Sequence, residues 1–154
     1  MVDRIARDKL GEQLRHLAAG LISNDDFETE VLAAETDDGG YWAVVEQAWF
    51  LYSDLYQHRL SGSRALSNND RRIVSRLILF LHSESEYEWT KHPCTGIVRI
   101  ILGLVSFGWI PKVFDNKWKT QGDYDVYPFF RKSDFEVARA NPRLLAGITD
   151  IQIL

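Results

Sequence analysis

Residues 41–60 read YWAVVEQAWFLYSDLYQHRL and form the most strongly patterned stretch of the chain. Apolar side chains recur there at helical spacing along two stripes, one through Trp42 and Val45 and the other through Val44 and Ala48. A helix with two apolar stripes is buried on most of its sides. The pattern therefore predicts a long central helix over residues 41–60, and its aromatic side chains favour a core role over a ligand site.

Two shorter helices are predicted before residue 35 and form an N-terminal hairpin over residues 1–34. The first begins behind an Asp3 cap and ends at Gly20, which tolerates a left-handed turn. Ser23 caps the second helix, whose first turn carries acids that interact favourably with the helix dipole. The expected inward residues are Ile5, Leu10, Leu14, Leu17 and Leu21 in the first helix and Phe27, Val31 and Leu32 in the second.

The hairpin also resembles a known family. Residues 14–17, Leu-Arg-His-Leu, and residues 20–28, Gly-Leu-Ile-Ser-Asn-Asp-Asp-Phe-Glu, are similar to the short C-terminal oligomerisation motif called SHOCT. That pattern is a leucine helix, a Gly, an apolar pair, a Thr or Ser, acids and Phe-Glu. Here the match lies near the start of the chain and lacks the Lys that commonly follows Phe-Glu. The resemblance implies self-association, so a homo-oligomer stays among the expected states.

The rest of the chain, residues 41–154, is expected to complete a single compact helical bundle with irregular loops. A chain of 154 residues has enough apolar material for one core and too little for two large domains. Ser67 and Asp70 have the spacing of a capping box, which predicts a helix to about residue 82. Residues 83–90 favour a short extended or irregular segment, because their alternating glutamates would repel one another on a helix.

Two further elements are predicted towards the C-terminus. Residues 95–110 form the most apolar run, and we expect a buried helix that Pro111 stops. Residues 133–136, Ser-Asp-Phe-Glu, have capping-box spacing and predict a short helix. An apolar tail over residues 144–154 is expected either to dock on the domain or to contact a partner.

The charge is distributed unevenly along the chain. The net charge is −4, yet no Lys or Arg occurs between Arg15 and Arg59, where nine acids lie. Residues 1–60 carry a net charge of −7 and residues 61–154 a net charge of +3. A surface of one sign attracts partners of the opposite sign and repels nucleic acid. We therefore expect a basic protein partner for a binding module. The candidate partner-binding residues are Asp25, Asp26, Glu28, Asp37 and Asp38.

An antitoxin or immunity protein that neutralises a basic toxin is the most specific form of this hypothesis. The sequence contains no nucleotide-binding loop, no His-Glu-x-x-His and no Gly-x-Ser-x-Gly motif. We accordingly predict no cofactor and no catalytic residue, and a binding or structural role over an enzymatic one.

A metal-dependent enzyme is the second hypothesis. Imidazole, carboxylate and thiolate groups, all competent metal ligands, are concentrated between His82 and Cys94. Their spacing matches no established ligand pattern, which favours a loop with surface glutamates instead. The candidate metal ligands are His82, Glu84, Glu86 and His92.

A peripheral membrane-associated subunit is the third hypothesis. The apolar run is too short to span a bilayer and contains Arg99, so no transmembrane segment is expected. Trp109 and Trp118 nevertheless resemble interfacial anchors, and residues 97–118 are the candidate membrane contact. A single cysteine and the absence of a secretory signal predict a cytoplasmic protein.

Overall fold

The computed structural model describes residues 1–90 and 109–142, and for residues 109–113 it describes only the backbone. Within these ranges the chain is mainly helical, and its one β-bridge joins Ser23 to Arg59. The predicted mainly α-helical, compact fold class is confirmed. The helices are α1 (Arg4–Ala18), α2 (Asn24–Leu32), α3 (Gly39–Ala48), α4 (Asn68–His82), α5 (Trp109–Lys119) and α6 (Lys132–Ala140).

The predicted hairpin of α1 and α2 is confirmed, with its caps. The Asp3 side chain accepts a hydrogen bond from the Ala6 amide, and Ser23 forms a capping box with Asp26. Gly20 has a φ of 69°, a left-handed conformation that suits glycine as the chain reverses between the helices. Local side-chain chemistry therefore sets where α1 and α2 begin and where α1 ends.

Three of the eight predicted inward residues of the hairpin are exposed instead. Ile5 is 84% exposed because Arg7, on the opposite side of the helix, occupies the core position in the first turn of α1. Leu21 follows the reversal at Gly20, and Leu32 lies one residue beyond the inward Val31, so both face solvent. The predicted inward residues that are buried are Leu10, Leu14, Leu17, Phe27 and Val31.

The prediction of one helix over residues 41–60 is wrong in extent. Helix α3 begins at Gly39 and ends at Ala48, and a single 3-10 turn follows over Trp49–Leu51. Beyond it, the Ser53 hydroxyl accepts a hydrogen bond from the Leu55 amide, and such local bonds compete with helical ones. The apolar pattern continues after Ala48, but the backbone leaves the helix.

Helices α1 and α4 pack along each other and form the centre of the main core. The Ser67 and Asp70 capping box of α4 forms as predicted, and the helix ends at His82. Phe80 of α4 lies edge to face against Phe129, with ring centroids 5.1 Å apart. The hairpin, α3 and α4 therefore share one hydrophobic core.

Residues 83–90 form neither helix nor strand, in agreement with the predicted irregular segment. One of these residues, Trp89, lies at the centre of a second aromatic cluster, and its indole nitrogen donates a hydrogen bond to the Phe129 carbonyl at 3.2 Å. The Tyr87 and Tyr127 hydroxyls lie 3.2 Å apart. This segment therefore connects the main core to the residues that follow α5.

The structure corrects two predictions near the C-terminus. Pro111 lies in the first turn of α5, a position that tolerates proline, so it does not stop a helix there. Helix α6 has Arg131 at its N-cap without a side-chain hydrogen bond, and the Ser133 hydroxyl donates to Asp134 at 3.2 Å. The capping box predicted for residues 133–136 therefore does not form. The predicted apolar helix up to residue 108 and the tail over 144–154 lie outside the described residues.

Candidate functional site

The five candidate partner-binding acids occupy different environments. Asp25 and Asp37 are exposed, and Glu28 is half-buried on α2. Asp26 is exposed but already bound within the capping box, where hydrogen bonds from Ser23 lower its pKa. Asp38 is only 3% exposed. The acidic segment, residues 25–54, therefore contains acids that are exposed at the surface and one acid, Asp38, that is buried in the fold.

Asp38 forms a buried ion pair with Arg7. The Arg7 guanidinium donates to the two Asp38 carboxylate oxygens at 2.6 and 2.9 Å and to the Ser85 carbonyl at 2.9 Å. It also lies 4.8 Å from the centroid of the Phe80 ring. The carboxylate accepts further hydrogen bonds from the Asp3 and Gly40 amides. This pair joins α1, the start of α3, α4 and the segment after α4.

The surroundings of Asp38 keep it ionised inside the fold. Burial opposes ionisation most strongly, but the hydrogen bonds and charge of Arg7, with the two amide donors, hold the pKa of Asp38 below its usual value. A Cβ atom at Gly40 would lie 2.5 Å from an Arg7 nitrogen, so the ion pair also requires glycine at that position. Asp38 therefore stabilises the fold, and its buried carboxylate is not accessible to a partner.

A surface pocket of about 240 Å³ lies elsewhere in the acidic segment. Glu28 of α2 and Trp49, Tyr52 and Asp54 from the chain after α3 line it. The Tyr52 ring packs edge to face against Phe27, with ring centroids 6.3 Å apart. Two aromatic rings and two carboxylates therefore share one concave surface.

Asn24 holds the two sides of this pocket together. Its amide nitrogen donates to the Ser53 and Tyr56 carbonyls at 3.3 and 3.2 Å, and its side-chain oxygen accepts from the His58 amide at 2.7 Å. Asn24 is buried at the first turn of α2, one turn before Glu28. These bonds fix the chain after α3 against α2 and so bring Glu28 near Asp54.

The pocket combines negative charge with a buried hydroxyl. The Tyr52 hydroxyl oxygen is shielded from solvent and lies close enough to the Glu28 carboxylate to interact with it, although the two do not form a well-aligned hydrogen bond. Burial, and then the nearby Glu28 and Asp54 carboxylates, raise the pKa of Tyr52, so the phenol stays neutral at pH 7. No Lys or Arg within the described ranges lies within 4 Å of either carboxylate. This environment favours a cation with hydrogen-bond donors.

Sequence reasoning did not assign Trp49, Tyr52 or Asp54 to a site. The two aromatic residues belong to the apolar pattern of residues 41–60, which predicts core positions. Tyr52 packs against the core as predicted and also lines the pocket, whereas Trp49 is 45% exposed after the end of α3 at Ala48. The aromatic spacing and the charge of Asp54 were visible in the sequence. The hydrogen bonds of Asn24 that bring them to Glu28 were not.

Among the candidate metal ligands, His82 is 5% exposed and engaged within the fold. Arg15 donates to its Nε2 atom at 2.9 Å, while its Nδ1 atom lies 3.6 Å from Asp8. Burial, and then the neighbouring Arg15, lower the pKa of His82, which favours a neutral ring. The Nε2 lone pair that a metal ion would need is therefore already used.

The other candidate ligands give no metal site in the part of the chain that the structure describes. Glu84 and Glu86 are exposed, and no group of three potential ligands occurs among residues 1–90 and 109–142. His92 and Cys94 lie outside those ranges. The metal hypothesis stays a prediction.

Comparisons of the chain with protein-family models, curated proteins and solved structures find no match. The resemblance of residues 14–28 to the SHOCT motif therefore stays a prediction carried by those residues. No helix in the described ranges is both long enough and apolar enough to span a membrane. Most of the candidate membrane contact, residues 97–108, lies outside the described residues, so that hypothesis also stays a prediction.

Proposed function

We propose that this protein is a binding module that presents the acidic surface of residues 25–54 to a basic protein partner. The observation that supports this proposal is the number of acids that form no ion pair with a Lys or Arg of the described residues. Of the nine acids between Arg15 and Arg59, only Glu30 and Asp38 have a Lys or Arg nitrogen within 4 Å in the described ranges. The seven others are Asp25, Asp26, Glu28, Glu35, Asp37, Glu46 and Asp54.

Unneutralised charge of one sign has two physical consequences for binding. It accelerates encounter with a partner of the opposite charge, and it disfavours partners of like charge, including nucleic acid. Salt screens such a surface, with a Debye length of about 8 Å at physiological ionic strength. The affinity for the partner should therefore fall as ionic strength rises.

The most specific form of the proposal is an antitoxin or immunity protein in the cytoplasm that covers a basic toxin. An inhibitor of this kind needs no catalytic residue, because occupying the partner's functional surface is sufficient. A single cysteine agrees with a reducing compartment. The acids that we assign to this surface are Asp25, Glu28, Asp37 and Asp54.

The test compares two variants with the same change in charge. The Asp25→Asn, Asp37→Asn variant neutralises two exposed acids of the surface, and the Glu12→Gln, Glu86→Gln variant neutralises two exposed acids elsewhere. Immobilised protein is incubated with a lysate of the native host. Each basic protein that it retains is then purified and titrated by calorimetry at two salt concentrations.

We expect the first variant to bind a basic partner several-fold more weakly and with a smaller salt dependence than the wild type. The second variant should bind like the wild type. Equal binding by the wild type and the Asp25→Asn, Asp37→Asn variant would contradict the proposal, as would an affinity that does not change with salt.

A further inference from the structure

We propose that the pocket lined by Glu28, Trp49, Tyr52 and Asp54 binds an arginine side chain. The assignment of that arginine to a protein partner rests on the proposed function. The inference that the pocket binds an arginine side chain does not rest on the proposed function, because it follows from the residues that line and surround the pocket.

The two carboxylates select for a cation. Glu28 and Asp54 line one pocket, and no described Lys or Arg lies within 4 Å of either of them. An anion would be repelled by both groups, and an apolar ligand would remove water from them without replacing its hydrogen bonds. A guanidinium carries five N–H donors in one plane and satisfies carboxylates with two parallel bonds.

The aromatic residues favour arginine over lysine. Trp49 is 45% exposed and lines the pocket, so its indole is accessible to a ligand. A planar guanidinium stacks on an indole face, while a lysine ammonium is a compact and strongly hydrated charge. The Tyr52 ring, which packs edge to face against Phe27, forms another part of the pocket wall.

The chain already holds one of its own arginines in this way. Arg7 is bound by both oxygens of the Asp38 carboxylate and lies over the Phe80 ring at 4.8 Å. The pocket offers the same two elements, carboxylate oxygens and an aromatic ring, at the surface. The buried pair is therefore an internal precedent for the complex that we propose.

The surroundings of the pocket fit an arginine that belongs to a protein. Phe50 and Leu55, which neighbour the lining residues in the chain, are 82% and 85% exposed. Exposed apolar side chains around a polar site are typical of protein interfaces, whose central contacts are enriched in Trp, Tyr and Arg. A free amino acid would leave these two apolar side chains uncovered.

The test uses three small probes that differ only in the side chain. Capped arginine, N-acetyl-arginine methylamide, is titrated into ¹⁵N-labelled protein, alongside its citrulline and lysine analogues. Citrulline has nearly the shape of arginine without its charge. The readout is the Trp49 indole N–H signal, assigned with the Trp49→Phe variant.

We expect saturable shifts of the Trp49 signal with capped arginine, at a Kd in the millimolar range that suits a single side chain. The lysine analogue should bind several-fold more weakly, and the citrulline analogue should cause no saturable shift. Equal binding of citrulline and arginine would overturn the proposal, and equal binding of lysine would overturn the preference for arginine.

Variants locate the binding. The Glu28→Gln, Asp54→Asn variant should lose at least ten-fold in affinity for capped arginine, while Glu12→Gln, Glu86→Gln should bind normally. Retained binding by the Glu28→Gln, Asp54→Asn variant would overturn the proposal. If the Asp25→Asn, Asp37→Asn variant binds a basic partner more weakly but capped arginine does not bind the wild type, the proposed function is supported and the arginine pocket is rejected. If capped arginine binds but the variant binds the basic partner as tightly as the wild type does, the partner surface is rejected and the arginine pocket is supported.

Discussion

The acidic segment uses its carboxylates in two different ways. Asp38 is buried and bound by Arg7 from the same chain, whereas Glu28 and Asp54 line a surface pocket without a described cation nearby. Both places combine carboxylate oxygens with an aromatic ring. The comparison shows that a run of acids in the sequence is not uniformly a binding surface, because burial decides which carboxylates the fold itself uses.

The largest effect is expected from removing the cation of the buried pair. Arg7→Met leaves the Asp38 carboxylate buried without its partner, which should lower the free energy of unfolding by about 3–5 kcal/mol. Urea denaturation followed by circular dichroism measures the loss. The matched control is Lys9→Met, since Lys9 pairs with Glu30 at the surface and the loss there should be at most about 1 kcal/mol. Similar losses in the two variants would contradict the buried role of Arg7.

A smaller effect is expected when a methyl group is forced into the same pair. A Cβ atom at Gly40 would lie 2.5 Å from an Arg7 nitrogen and 2.8 Å from the Phe80 ring. Gly40→Ala should therefore destabilise the protein by about 1–3 kcal/mol through overpacking.

The preceding glycine provides the control. A Cβ atom at Gly39 meets only the Tyr87 side chain, at 3.4 Å, so Gly39→Ala should be neutral or stabilising by up to about 1 kcal/mol, given the helix propensity of alanine. Thermal unfolding of both variants gives the comparison. An equal loss at the two positions would show that the buried pair does not require glycine at residue 40.

The buried carboxylate should also be visible in the pH dependence of stability. The pKa of Asp38 is lowered in the folded state, so its contribution is complete above the ordinary pKa of about 3.9 and is lost as pH falls through the folded value. Urea denaturation from pH 2 to 7 should show this acid-side decrease. In Asp38→Asn the decrease should be shallower, although the variant is less stable throughout. Equal slopes in the wild type and the variant would contradict the assignment.

The smallest effect on stability is expected at the pocket. Glu28→Gln with Asp54→Asn should change the free energy of unfolding by no more than about 0.5 kcal/mol, because no described ion pair is broken. The same variant should lose binding of capped arginine. Chemical denaturation checks the first expectation, and a loss above about 2 kcal/mol would mean that these carboxylates, like Asp38, support the fold.

Much of the helical framework is predictable because its signals are local. Asp3, Ser23 and Ser67 each cap a helix through a side chain within three residues of its target amide, so α1, α2 and α4 begin where the sequence indicates. The course of the chain after α3 depends in addition on a distant partner. Asn24 binds the Ser53 carbonyl from 29 residues away, and no periodicity in the sequence reports that bond.

The candidate site was predictable only in part for the same reason. The excess of acids indicated a surface for a basic partner, and Asp25 and Asp37 are exposed as that proposal requires. The burial of Asp38 follows from Arg7, 31 residues earlier, and the pocket follows from a helix that ends early. The number of acids can be read from the sequence, but the folded structure decides which of them form ion pairs.

The Asn24 hydrogen bonds have a consequence for how this protein can diversify. They hold the chain after α3 through backbone atoms, which every substitution there retains except one to proline at His58. Side chains at Trp49, Phe50 and Leu55 can therefore be exchanged without disturbing those anchors. A library randomised at these three positions should therefore keep the fold while it changes the side chains that this surface presents to a partner.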